Sequence, residues 1–124
     1  YNRLNRTGDR AAHAEIEAFR AAGRRLPPRE GILVSTLEPC VMCLGAAMET
    51  AIDTVIYGLR ADDDGGTSRV QPPQSADDQM PRIVGGIRER DSRARFERWL
   101  ALPDHNRSQE PFIRGVLGTH GHAA

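Results

Sequence analysis

Apolar positions along this chain switch between a helical and a strand-like spacing. Ala12, Ile16, Phe19 and Gly23 recur at helical intervals, which predicts an amphipathic helix over residues 11–22. Asp9 is its expected N-cap and Gly23 its expected end. Ile32-Leu33-Val34-Ser35-Thr36 is a short β-rich run, expected as a buried strand. Pro39 falls where a first helical residue would sit, because its missing N–H costs nothing there. The helix that follows, from Cys40 to about Thr50, carries Val41, Leu44, Gly45 and Met48 as its packing stripe. Thr54 to Gly58 reads as a second strand. A strand–helix–strand unit of this length predicts a right-handed crossover and a parallel pair.

The periodicity lapses over residues 60–81, which hold Gly65-Gly66, Pro72-Pro73 and Pro81. A loop of that length in a small domain is expected to be functional or mobile. Ile83 to Ile87 is a weak third strand. Arg88 to Leu102 is an amphipathic helix with Phe96, Trp99 and Leu100 on one side, expected as core. A short helix from Gln109 to Leu117, capped by Ser108, precedes a tail over 118–124 expected to fray. No internal repeat is present. The division expected is a core over 1–102, incomplete at its N-terminus, and a C-terminal extension over 103–124.

Composition narrows the class. The chain has 124 residues, 39% hydrophobic and 27% charged, enough for one domain and not for two. No apolar run reaches the 18 or so residues of a membrane span, so no membrane partner is expected. The polar opening predicts no secretory leader. The two cysteines, three positions apart, cannot form a disulfide framework and suit a metal or redox role in the cytoplasm. Formal charge is zero, so no global field draws nucleic acid. Residues 61–81 nevertheless carry five Asp against one Arg, and residues 82–98 six Arg against three acids. The basic face at 88–98 is interleaved with Glu89, Asp91 and Glu97, which predicts a solvated helix face.

The chemistry lies in two short stretches, His13-Ala14-Glu15 and Thr36-Leu37-Glu38-Pro39-Cys40-Val41-Met42-Cys43. Cys40 and Cys43 stand at i and i+3, so both sulfurs project from one face of a helix start. A helix N-terminus also favours the thiolate that a metal needs. His13 supplies an imidazole. Three protein ligands leave a fourth position open for water, as catalytic zinc sites do, whereas structural sites are closed by four. A closed site would recruit His105, His120 or His122, of which His105 reads as a surface loop residue. A bare Cys-x-x-Cys redox pair is the other alternative. On a regular helix His13 and Glu15 would point about 200° apart. They can share one site only from the first turn of a helix whose end faces it. Two helix N-termini would then converge on one metal, with Glu15 free to take a proton from the activated water.

These residues resemble the cytidine deaminase-like superfamily, most closely the branch of bacterial tRNA adenosine deaminases, guanine deaminases and related nucleoside deaminases. His-Ala-Glu-Ile, Thr-Leu-Glu-Pro-Cys-Val-Met-Cys and the following Gly-Ala all match, and the likeness runs from Asn2 to about Leu100. The resemblance implies an α/β fold, a three-layer α/β/α domain whose five strands run in the order 2-1-3-4-5. The family's first helix and first two strands have no counterpart here. The natural polypeptide is therefore expected to be longer, or the open edge at Ile32 to be covered by something else. The resemblance also implies Zn2+ held by His13, Cys40 and Cys43, Glu15 as catalytic proton shuttle, and a homodimer. Substrate contacts are expected at Asn2, Ala14 and Pro39.

Where the tRNA enzymes carry Arg-Asp-x-Lys-Thr-Gly, this chain has Arg60-Ala61-Asp62-Asp63-Asp64-Gly65-Gly66 without lysine. That acidic segment and the neutral charge favour a free base or nucleoside as substrate. Adenosine in tRNA is the alternative, and an inactive assembly domain is the reading from another class.

Overall fold

In the computed structural model of the chain, residues 11–72, 74 and 79–121 are described. Helix α1 spans Ala14–Ala22 and ends at Gly23, whose φ of 52° is the left-handed backbone that glycine adopts freely. His13, not Asp9, occupies the N-cap position. The helix therefore starts three residues later than the apolar spacing suggested, and Asp9 lies outside the described residues. Strand β1 is Ile32–Leu37, helix α2 Val41–Glu49 and strand β2 Thr54–Leu59. β1 and β2 pair in parallel, Leu33 beside Val55. Strand β3, Arg82–Val84, adds to the far side of β2, also parallel. Helix α3 is Glu89–Ala101 and helix α4 Glu110–Gly121.

The sheet order among the described residues is β1-β2-β3. Leu44, Ala47, Ile52 and Val55 make the core between α2 and the sheet together with Leu33, and Phe19 of α1 packs against them. Fully burying side chains such as Leu44 or Val55 contributes about 1.5–3 kcal/mol each. On α2 the buried stripe is Cys43, Leu44, Ala47 and Met48. Val41, expected in that stripe, is 50% exposed; the helix begins at Val41 and turns this side chain away from the sheet. α3 packs on β1 and β2 and α4 on α3. A second cluster there joins Leu59 and Ala61 to Val116, with Leu37, Phe96 and Leu117 alongside.

β1 departs from the buried strand expected. Leu33 is buried, whereas Ile32 and Val34 are 59% and 71% exposed. The strand has a partner on one side only among the described residues, and α3 leaves the outer part of its second face open. A cleft of ≈ 440 Å³ lies there, between Val34, Ile56, Arg88 at the cap of α3, and Arg95 and Arg98 of α3. None of His13, Cys40 and Cys43 lines it.

The end of the chain also differs from expectation. A 3₁₀ turn, Arg107–Gln109, precedes α4, and its cap is Asn106, whose side-chain oxygen accepts from the Ser108 N–H at 2.9 Å. Ser108 is thus the donor to the cap. α4 continues through Gly118 to Gly121, and residues 122–124 lie outside the described part.

His105 is a packed residue and not a solvated loop histidine. Its side chain is 8% exposed, it lies 4.7 Å from the Trp99 ring, and its Nε2 meets Glu110 Oε2 at 2.7 Å. Nδ1 lies 2.6 Å from the Leu102 carbonyl. Two acceptors against two ring nitrogens favour the imidazolium, which donates from both. The Glu110 hydrogen bond, then the Leu102 carbonyl, raise the His105 pKa; the His105 bond, then Arg114, lower that of Glu110. The His105 contribution to stability is therefore complete below its unfolded pKa and is lost as pH rises through the raised folded value. The Glu110 contribution is present above its unfolded pKa and is lost as pH falls through the lowered value. Urea midpoints should peak between these two limits, and His105→Gln should flatten the alkaline limb. Parallel wild-type and variant curves would show that the pair has no such linkage.

Candidate metal centre

The two helix starts meet. Cys40 is the N-cap of α2, in extended backbone with φ −71° and ψ 177°, and its side chain makes no capping hydrogen bond. Pro39 therefore sits one position before the cap, not at the first helical residue. A residue preceding the cap also lacks an intrahelical partner for its N–H, so proline is equally tolerated. His13 is likewise the N-cap of α1 without a capping bond. Both side chains turn toward each other. His13 Nδ1 lies 3.5 Å from Cys40 Sγ and 3.5 Å from Cys43 Sγ.

This spacing can be compared with what a metal requires. A tetrahedral zinc ion, with Zn–S of about 2.3 Å and Zn–N of about 2.0–2.1 Å, holds sulfur and nitrogen ligands about 3.5–3.6 Å apart. The three donor atoms lie within 4.8 Å of one another, and both cysteines are buried. The donor set therefore fits zinc in both chemistry and separation. His105 does not join this cluster; the His120 side chain and His122 lie outside the described part. The sulfurs also influence each other. The hydrogen bond from Cys43 lowers the Cys40 thiol to about 6. The same bond, then burial, then the Glu15 carboxylate raise Cys43.

Glu15 stands in the first turn of α1, the one place from which it and His13 can face a common point. Its carboxylate accepts from the Ser35 hydroxyl at 3.5 Å and is one of the groups that raise the Cys43 thiol. Ala14, the first residue of α1, is partly buried, and Pro39 is among the fully buried side chains. Asn2 lies outside the described residues.

Glu38 is what the residue pattern did not assign. It is 6% exposed, yet its carboxylate accepts from the Ala61 N–H at 3.0 Å and from the N–H and hydroxyl of Thr67. Its place inside the motif was the available signal. Its donors lie far downstream, in the segment without periodicity. That segment, expected to be functional or mobile, is at its start an ordered strap. Gly65 bridges Cys40, and Val70 packs on the core.

Comparison with known proteins agrees with this geometry. Residues 1–59 match the family model described as the cytidine and deoxycytidylate deaminase zinc-binding region. The tRNA(Ile)-lysidine synthase of Deinococcus deserti is 38% identical over 88 residues, 68% of this chain and 16% of that protein. The tRNA-specific adenosine deaminase of Buchnera aphidicola is 38% identical over 61 residues, 47% of this chain and 40% of that protein. The chain thus spans well under half the length of either. A solved structure from work on A-to-I editing by tRNA:A34 deaminases is 30% identical, with a TM-score of 0.59, covering 73% of this chain and 70% of that one. The guanine deaminase of Nitrosomonas europaea shares the fold, with a TM-score of 0.61 at 24% identity over 82% of this chain and 64% of that one. With its zinc-binding region and its α/β/α layers accounted for, the chain belongs to the cytidine deaminase-like superfamily.

Proposed function

We propose that this chain catalyses zinc-dependent hydrolytic deamination, replacing the exocyclic amine of a nucleobase or nucleoside by a carbonyl and releasing ammonia. The observation that carries the reading is the convergence of two helix N-termini, which brings His13, Cys40 and Cys43 within 4.8 Å and sets Glu15 against the same point. His13, Cys40 and Cys43 would hold zinc, which would supply a Lewis acid able to bring the pKa of a water toward neutrality. Glu15 is not needed as a ligand, so its carboxylate is free to take the proton of the attacking water. It then returns protons to the ring nitrogen and to the departing amine. Ser35 orients that carboxylate through its hydroxyl. The N-terminal ends of α1 and α2 converge on the same region, and their helix dipoles favour negative charge developing on the ring. Ala14 and Pro39, adjacent to the donors on either side, are the described residues proposed to line the substrate.

Adenosine in tRNA is the second reading, and the relatives favour it: they include proteins named for tRNA adenosine deamination and tRNA lysidine synthesis. The neutral chain and the exposed Asp62, Asp63 and Asp64 within the segment after β2 favour a small substrate instead.

Ammonia release from cytosine, adenine, guanine, their nucleosides and a tRNA anticodon stem-loop separates the two. Release from one small substrate establishes the first reading, and release from the stem-loop alone establishes the second. Silence across the panel with zinc bound would sink both, and would leave a deaminase fold used for assembly.

A further inference from the structure

We propose that Glu38 is a positioning residue for the metal site, a buried clamp that fixes the strap over residues 61–67 onto the turn presenting Cys40. The proposal rests on the zinc reading above. Burying a carboxylate is costly unless its acceptor sites are filled. Here they are filled by two backbone N–H groups and a hydroxyl, at Ala61 and Thr67. One side chain therefore ties down both ends of the strap.

The tie continues along the backbone. The Glu38 N–H donates to the Leu59 carbonyl at 2.8 Å, and the Gly66 N–H donates to the Pro39 carbonyl at 2.8 Å. Cys40 bridges Gly65. Three consecutive residues, ending at a metal donor, are thus held either by the end of β2 or by the strap. Gly65 shows how closely the parts fit. A Cβ at this position would lie 2.2–2.3 Å from the Glu38 carboxylate atoms, so only glycine lets the strap rest on the carboxylate.

An acid is required at position 38 because every neighbour donates. Glutamine would turn an NH2 group toward one of these donors and leave a buried N–H without an acceptor. The strap would lift there, and Cys40 would lose its fixed approach to His13 and Cys43. Groups that orient metal ligands from outside the donor set typically change metal affinity 10–100-fold when altered.

The test uses Co2+ as a spectroscopic probe in place of zinc, with zinc affinity measured by chelator competition. Glu38→Gln should weaken zinc binding about 10–100-fold and shift the d–d bands that report the geometry of the thiolate site. Thr67→Val, which removes one donor and keeps the carboxylate, should move both readouts the same way by less, and it decides the question alone if Glu38→Gln does not fold. Unchanged spectra and affinities in variants that merely melt earlier would overturn the clamp and leave Glu38 a purely structural residue. A wild type that takes up no metal would overturn the zinc reading, and the clamp with it.

Discussion

Glu15→Gln should lower turnover by about 10²–10⁴-fold, the range that positioned general acid–base catalysis contributes, while the zinc content stays at the wild-type level. The two halves of that result have separate causes. The donors are His13, Cys40 and Cys43, so exchanging a carboxylate for an amide of the same shape removes no ligand. The amide cannot accept the proton of the attacking water or carry it to the amine. The Ser35 hydroxyl can still donate to the amide oxygen, so the side chain keeps its place. Ammonia release and metal analysis on the same preparation check both halves. Wild-type turnover in the variant would remove Glu15 from the mechanism.

Cys43→Ala should abolish stoichiometric zinc binding and reduce activity to background. Its sulfur is fully buried, at 0% exposure, and shares the His13 ring with Cys40. Two remaining donors cannot fill a site that needs three. Because a ligand that binds only the folded state stabilises it by about 4 kcal/mol at a thousandfold excess over Kd, wild-type melting should rise with added zinc and fall with chelator. The variant should melt at one temperature under both conditions. A variant that still responds to zinc would place the metal elsewhere.

The donor set was legible in the residues because its geometry is local. Cys40 and Cys43 are three apart on one helix, and the awkward i, i+2 spacing of His13 and Glu15 admits a helix start and little else. The strands at Ile32 and Thr54 and the helices between and after them follow from apolar spacing alone. Other features depended on neighbours that spacing does not reveal. Glu38 finds its donors at Ala61 and Thr67 only after β2 has brought the strap back to the motif. His105 is packed because α4 returns Glu110 to it beside Trp99. The exposure of Val34 is set by which elements stand next to β1, and an apolar run reads the same with or without them. The helix starts were misplaced for a related reason. Asp9 and Pro39 are good local choices for a cap and a first residue, but the metal donors took the cap positions.

That choice has a consequence for how the molecule holds together. Helix caps are normally small oxygen-bearing side chains that bend back to the exposed amides of their own first turn. α1 and α2 have a histidine and a cysteine there, and both reach across to the other helix instead. A cation held between them acts as one cap shared by two helices. The first turns of α1 and α2 therefore order and fray together, and the element that carries Glu15 cannot loosen without disturbing the element that carries the two cysteines.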